Sequence, residues 1–464
     1  MNKTIFHIDV NSAFLSWTAV KRLKDDPLSL DLRSVPSVVG GDVKTRHGIV
    51  TAKSIPAKKY GIQTAEPINS ALSKCPKLII VPSDFHTYRE YSHAFIDILG
   101  SYSEVLQQVS IDEAFIDVTE LANLDVTDHL KKVFLAEDDV PFCVEMKLRE
   151  SAEAGEIKRK EILRQIESDN SFKEKFPLNL AAAIRFEIFN RLGFTVNVGI
   201  SNNKLLAKMA SDFAKPDKTH TLYPSEVPDK MWPLDIGDLF GCGKKTSERL
   251  RSIGIKTIGD AAHYDPVVLM SQLGEKSGAY IFQSANGKGS DIVHTEREEA
   301  KSYSNETTTS NDITFANYEI DMPPIVRRLS EKVSMRMKRD GVYGGTVSVQ
   351  VKTSDFKRFS RQMRLSDSSN DADIIYSNAM NLFENLLTGE NGLFENDIHI
   401  RLVGVGMDHL DHGEYRQGNL FDWMTTGKEE LKVERQKKEK ADKLDKMENL
   451  IKNKFGDDAI HKGL

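Results

Sequence analysis

The stretch Val109 to Val118, VSIDEAFIDV, sets two adjacent carboxylates, Asp112 and Glu113, inside an apolar and β-branched run. Val109 and Ile111 come before the pair, and Phe115, Ile116 and Val118 come after it. Such a run reads as strand. Charges buried in one are costly unless something positive offsets them. Taken alone, the segment reads as a tight hairpin with an acidic tip in solvent. The rest of the chain argues instead for a buried pair with a cationic partner. Adjacent residues of a regular strand point to opposite faces. Both acids can therefore reach one site only if the backbone turns or twists between them.

A third carboxylate lies far earlier. Ile5, His7 and Asp9 alternate with Phe6, Ile8 and Val10, a strand with Asp9 near its end. Asn11 and Ser12 offer a helix N-cap, and Ala13, Phe14, Trp17 and Val20 form an apolar helix face. Asp9 thus sits where strand gives way to helix, a position suited to metal ligation. Residues 24–48 are turn-rich, and a short strand, 49–52, leads to a helix opening after Ser54. Lys53, Lys58 and Lys59 surround that opening, as an anion site would require. A second short helix follows, then a strand at 78–81. A helix over 84–102 carries Tyr88, Tyr91, Phe95, Ile98 and Leu99 as a core stripe.

Residues 125–178 are dense in mixed charge and read as an insertion. A helix over 179–192 and a strand over 194–200 follow. Ser201 is expected to cap the next helix, which buries Leu205, Met209 and Phe213 and carries Lys204, Lys208 and Lys215 elsewhere. Pro216 is expected to stop it, so Lys215 projects from a helix end into a loop, a position suited to meeting a phosphate. From Trp232 the texture changes to short helices punctuated by Gly241, Gly243, Gly254 and Gly259. A helix, a Gly-x-Gly hairpin and a second helix beginning at Lys244 and Lys245 form a helix-hairpin-helix pattern. Its glycines let backbone N–H groups approach a DNA phosphate.

Residues 294–312 are polar and read as a linker. Beyond them come a basic helix over 325–339, strands at 346–352 and 359–365, a helix over 371–387 and a strand at 398–405. Lys357, Arg358, Arg361 and Arg364 lie near the second strand, a basic face able to follow a nucleic-acid backbone. The tail after Leu410 holds QGNLFDW, whose Leu420 and Phe421 suit a partner's apolar pocket.

The 464 residues call for about three or four domains. The net charge of -6 argues weakly against nucleic acid for the chain as a whole, so the local basic clusters carry that argument. Cys75, Cys143 and Cys242 lack zinc-ligand spacing and read as reduced thiols. No run approaches the ~18 to 20 apolar residues of a membrane span. The N-terminus lacks a signal-peptide pattern, so a cytoplasmic protein is expected.

DVNSAF from Asp9, SIDEAF from Ser110 and GISNNKLLAKMASDFAKP from Gly199 stand in the order and spacing of the Y-family, translesion DNA polymerases. The chain resembles that family over most of residues 1–410, closest to its bacterial polymerase IV-like and UmuC-like branches. The resemblance implies an α+β right hand. An antiparallel-sheet palm would occupy 1–20 and 76–231, small fingers 21–75, a helix-hairpin-helix thumb 232–293 and an α+β little finger 302–410. It implies error-prone, template-directed DNA synthesis past lesions from primer-template DNA and dNTPs. Asp9, Asp112 and Glu113, with the Val10 carbonyl, would hold two Mg2+ ions, which prefer oxygen ligands and share substrate phosphates. Phe14 would be the gate against ribonucleotides. Lys215 would bind the triphosphate. Gly241, Gly243, Lys244, Lys245 and Arg361 would contact DNA. Gln417, Leu420 and Phe421 would anchor the tail to a sliding clamp.

The sequence also departs from the family. Many relatives carry a tyrosine and an arginine on the fingers helix for the triphosphate, where this chain has Ile55 and Lys58. Lysine keeps the charge but loses the bidentate fork, and isoleucine cannot donate, which lowers nucleotide affinity unless Lys53 or the backbone compensates. Asn11 stands where many relatives have an acid, and the 125–178 segment is longer than usual. Two rival functions are a catalytically inactive, DNA-binding scaffold and a nucleotidyl cyclase. The complete carboxylate set argues against the first, and the thumb and little-finger resemblance against the second.

Overall fold

Strand β1 (Ile5–Val10) is the middle of a five-stranded sheet of order β5-β6-β1-β7-β8. Its neighbours are β6 (Glu113–Asp117) and β7 (Val196–Ser201), both antiparallel to it. Strand β5 (Leu106–Gln108) pairs antiparallel with β6, and β8 (Thr219–Thr221) pairs parallel with β7. The computed structural model describes residues 3–41, 48–123, 176–296 and 299–413. Phe6 and Ile8 turn one way from β1 and are fully buried. They pack into a core with Trp17, Tyr88, Phe95, Ile116, Ile184 and Phe194. Each such side chain contributes about 1.5–3 kcal/mol by leaving water. That core is supplied by helices α1 (Ala13–Asp25), α4 (Phe85–Tyr102) and α5 (Phe176–Leu192). The aromatic stripe expected on α4 is buried as its spacing predicts.

Between α1 and α4 a small sheet forms from β2 (Ser37–Gly40), β3 (Val50–Lys53) and β4 (Ile79–Val81), in the order β3-β2-β4. Ser54 caps α2 (Ile55–Lys59) through its hydroxyl, with Pro56 in the first turn, as expected. Helix α3 (Ile68–Lys74) completes this subunit of the fold.

Helix α6 (Lys204–Asp212) follows β7. Its cap is Asn203, whose side chain accepts from the Leu206 N–H at 2.9 Å. The expected cap, Ser201, instead ends β7 and donates to the Leu222 carbonyl. Strand pairing through Ser201 carries the sheet one residue further than the apolar pattern indicates. Gly199 lets α6 lie flat on β7, because a Cβ there would overlap the Ala207 carbonyl and the Ser211 nitrogen.

After a short helix α7 (Val227–Lys230), helices α8 (Lys244–Ser252), α9 (Ile258–His263), α10 (Pro266–Leu273) and α11 (Glu275–Ala285) share a core around Leu239, Leu250, Ile258 and Ile281. The first helix of the expected helix-hairpin-helix is only a 3₁₀ turn, Ile236–Asp238.

A second compact unit runs from Ala300 onwards. Its four strands, β9 (Ser302–Ile313), β10 (Tyr343–Thr353), β11 (Arg358–Ser369) and β12 (Ile400–Asp411), pair antiparallel in the order β11-β10-β12-β9. Helices α12 (Tyr318–Asp340) and α13 (Ala372–Leu387) pack on it through Val326, Val333, Met337, Phe383 and Leu387. Two expectations change here. Most of the polar segment read as a linker is strand β9, whose edge position leaves Tyr303, Thr309 and Ile313 as its buried residues. The basic helix begins at Tyr318, with Pro323 and Pro324 inside it. Among the described residues, no helix is long and apolar enough to cross a membrane.

Candidate active site

Asp9 on β1 lies directly opposite Glu113 on β6 in the antiparallel register. Asp112 is not on the strand. It ends the turn joining β5 to β6, where the N–H groups of Val109 and Ser110 both donate to the Glu113 carbonyl at 3.0 and 3.3 Å. The Val10 N–H donates to the Asp112 carbonyl at 3.0 Å, which ties this turn to the end of β1. The change from turn to strand between residues 112 and 113 therefore frees both acids from strict alternation. Beyond Val10, Ser12 adopts a left-handed conformation (φ 50) that swings the chain from strand into α1.

The three acids sit in different fields. Burial, and then the charges of Asp9 and Glu113, push the Asp112 carboxyl above the usual range, although Ser110 donates to its Oδ1 at 2.5 Å. Glu113 is pulled down to about 2, chiefly by a hydrogen bond from His7 and then by Lys208, against the opposing effect of burial. Lys208 pairs with Glu113 Oε2, and Lys215 pairs with Asp9 Oδ2 and, at 2.9 Å, with Asp212. Burial works against the Lys215 charge, but Asp9 and Asp212 outweigh it and raise its pKa. Among the described residues, no three His, Cys, Asp or Glu side chains converge there as they would around an ion. Asp9 and Glu113 turn to the two ammonium groups instead. The fit to a cation is thus chemical: an all-oxygen donor set of three acids, one of them raised by burial and like charge.

Phe14, half-buried on α1, stacks on Tyr88 with ring centroids 4.5 Å apart and planes 10° from parallel. Phe85 and Trp17 stand 6.1 Å away on other sides. The Tyr88 hydroxyl is fixed 2.9 Å from Thr18 Oγ1. The ring therefore has a rigid backing, as a steric gate needs.

Asn11 is buried and holds structure together. Its amide donates to Asn197 Oδ1 (3.1 Å), and its oxygen accepts from Thr195 Oγ1 (3.0 Å) and the Asp217 N–H (2.9 Å). It braces the turn that follows Lys215, so its role here is not that of an acid near an ion.

Lys53, Ile55 and Lys58 gather at the β3–α2 junction. Ile55 and Lys58 are exposed. Burial and then the neighbouring Lys58 charge lower the Lys53 pKa. None of the three is bonded to the carboxylate cluster in this structure.

In the helical region, Gly241 takes φ 83 and lies against Tyr280, whose ring a Cβ would strike and whose hydroxyl donates to the Phe240 carbonyl at 3.0 Å. Gly243 caps α8 with open space around its Cα, and the Lys244 and Lys245 side chains are exposed at the start of that helix. Within the second unit, Arg361 projects from β11 with Lys357, Arg358 and Arg364 also exposed. Gln417, Leu420 and Phe421, and most of the charged insertion, lie outside the described residues.

The sequence reading missed His7, Lys208 and Ser211 as site residues. His7 shares a strand face with Asp9, two residues on, and Lys208 and Ser211 fall on neighbouring turns of α6. Those spacings were the available signal.

Family models agree with this arrangement. The impB/mucB/samB family model matches residues 8–212, its C-terminal domain 300–420 and the IMS family HHH motif 224–255. The chain is 37% identical to the DNA polymerase IV of Clostridium acetobutylicum over 460 residues, covering 99% of this chain and 97% of that protein. It is 30% identical to DNA polymerase IV 1 of Bacillus subtilis, covering 100% of this chain and 93% of that protein. A solved Y-family DNA polymerase chimera shares its fold, with a TM-score of 0.65 and 21% identity over 88% of this chain and 98% of the other. With the carboxylates and the basic sheet already in place, these matches establish that the chain belongs to the impB/mucB/samB family and is a Y-family, DNA polymerase IV-like protein.

Proposed function

We propose that Asp9, Asp112 and Glu113 are the catalytic centre of a DNA-directed DNA polymerase that extends primers along a template, with low fidelity and past lesions. The observation that carries the reading is the placement of Asp112, a carboxylate in a turn whose pKa burial and like charge raise, beside Asp9 and Glu113 on paired strands. All three acids are present, on adjacent strands and the turn between them, which speaks against the inactive scaffold.

Two Mg2+ ions held by these acids and the Val10 carbonyl would supply activation of the primer 3′-hydroxyl and charge stabilisation at the α-phosphate. The chain's own groups do the rest. Lys215, now paired with Asp9, is the cation available to the incoming triphosphate in the loop after α6. Lys53 and Lys58 form a second positive locus for that triphosphate; burial first, and then the Lys58 charge, lower the Lys53 pKa. Ile55 contributes no hydrogen bond there. Phe14, backed by Tyr88, excludes a sugar bearing a 2′-hydroxyl.

Residues 1–20 with 76–231, 21–75, 232–293 and 302–410 act as palm, fingers, thumb and little finger in this reading. The thumb holds DNA phosphates at Gly241, Gly243, Lys244 and Lys245, and the little finger at Arg361. Gln417, Leu420 and Phe421 anchor the tail to a sliding clamp. Primer extension on undamaged and lesion-bearing templates, with Mg2+ and each dNTP supplied separately, tests the function. Template-dependent incorporation is expected. Cyclic nucleotide formation without a primer, or DNA binding without synthesis, would overturn it.

A further inference from the structure

Helix α5 sends Ile184 and Ile188 into the core of the first sheet. Arg185, the residue between them in sequence that follows Ile184, turns instead to the sheet edge, with its side chain only 11% exposed. Its partners all lie on the chain just beyond Lys215. Nε donates to Asp217 Oδ1 at 2.9 Å, and Nη2 lies 2.6 Å from the same oxygen. Nη2 also donates to the Asp217 carbonyl, and Nη1 donates to Thr219 Oγ1 at 3.2 Å, where β8 begins. Asp217 takes φ 55, a left-handed conformation that few residues besides Gly, Asn and Asp adopt. A charge this buried is costly unless it is paired, so Arg185 and the Asp217 turn specify each other.

Two buried asparagines hold the same loop. Asn197 on β7 donates to the carbonyls of Ser211 (3.0 Å) and Ala214 (2.5 Å) and accepts from the Lys218 N–H (3.2 Å). Asn11 accepts from the Asp217 N–H (2.9 Å). Ala214, Asp217 and Lys218, on both sides of Lys215, are thus fixed through their backbone. The Lys215 ammonium leaves this frame towards Asp9 and Asp212. Arg185 is the charged member of the brace. Its planar fork serves a carboxylate, a carbonyl and a hydroxyl together, which a lysine ammonium cannot do from one position.

We propose that Arg185 is a positioning residue for the incoming nucleotide. By pinning the Asp217 turn it sets where the Lys215 ammonium stands, and so the grip on the triphosphate. The inference rests on the reading of Lys215 as the triphosphate cation.

The test uses the full chain on primer-template. The dNTP dissociation constant is read from a fluorescent template base with a dideoxy-terminated primer, and KM and kcat from single-nucleotide incorporation. Arg185→Lys keeps the charge and loses the fork. It should raise the dNTP dissociation constant and KM by about five-fold, with kcat within about two-fold of wild type. Asp217→Asn keeps the left-handed turn and weakens the pair, and it tests the same brace if Arg185→Lys does not fold. It should raise both constants by about two- to three-fold. Arg185→Lys combined with Lys215→Ala should match Lys215→Ala alone within about two-fold, because the brace acts through that ammonium. If Lys215→Ala weakens dNTP binding while Arg185→Lys and Asp217→Asn bind as wild type, the positioning role is wrong and the Lys215 reading stands. If Lys215→Ala binds dNTP unchanged, that reading falls and the inference with it. Effects that multiply in the combined variant would show Arg185 acting independently of Lys215 and overturn the proposal. A lowered Tm with unchanged dNTP binding would also overturn it, since that is the mark of a merely structural residue.

Discussion

The two large sheets handle charge in opposite ways. At the centre of the first, Asp9, Asp112 and Glu113 sit at strand ends and in a turn, partly buried and fixed by the backbone register. In the second, Lys357, Arg358, Arg361 and Arg364 are exposed on and beside β11, while Phe359, Met363 and Leu365 of the same strand pack towards its core. Arg361 donates to its neighbour's carbonyl and Lys357 pairs with Asp355, both at the surface. The contrast teaches that chemistry and holding ask different things of a sheet. Reaction needs a few groups placed within a fraction of an ångström, and burial makes each interaction count. Holding a polyanion needs many solvated cations, each worth little alone.

Single substitutions should therefore be severe in the first sheet and mild in the second. Asp112→Asn or Glu113→Ala should lower primer extension by at least ~10³-fold while DNA binding survives. Phe14→Ala leaves the carboxylates untouched and should relax sugar discrimination by about 10²-fold, read as the ratio of dNTP to rNTP incorporation. Unchanged discrimination would remove Phe14 from the gate. Lys215→Ala should raise the dNTP KM by about ten-fold. Arg361→Ala should weaken DNA binding only about two- to three-fold across sequences and reduce the salt slope by about one. A severe, sequence-specific loss at Arg361 would erase the contrast.

Acid titration sharpens the comparison within the first sheet. The folded pKa of Glu113 is about 2, below its ordinary 4.5. Its contribution to stability is therefore complete above pH 4.5 and disappears as pH falls towards 2. Urea midpoints followed over that window should converge for wild type and Glu113→Gln. Asp112 has the opposite sign, since its raised pKa means that ionisation costs stability once pH exceeds the ordinary carboxylate range. Asp112→Asn should accordingly raise Tm at neutral pH by about 2 °C while abolishing activity. A lowered Tm would show that Asp112 is held for structure.

Much of this site was legible in the sequence because its signals are local. Asp9 lies near the end of a strand of period two, the Asp112–Glu113 pair interrupts an apolar run, and Lys215 directly precedes Pro216 beyond α6. Their meeting depends on register, which local patterns do not specify. The His7–Ser211 contact spans 204 residues and needs Gly199 to bring α6 onto the sheet. Element ends were less legible where tertiary pairing overrides local preference. Ser201 looks like a cap but pairs as strand, and the polar residues 302–313 look like a linker but complete a sheet edge. Asn11 looked like a missing acid, and its three partners, 184 to 206 residues away, make it a brace.

The most direct test of the catalytic centre is single-turnover incorporation of one dNTP by wild type and Asp112→Asn, each saturated with primer-template and Mg2+. The account predicts equal DNA affinity by fluorescence anisotropy and loss of the incorporation step in the variant. Incorporation by Asp112→Asn at the wild-type rate would contradict it.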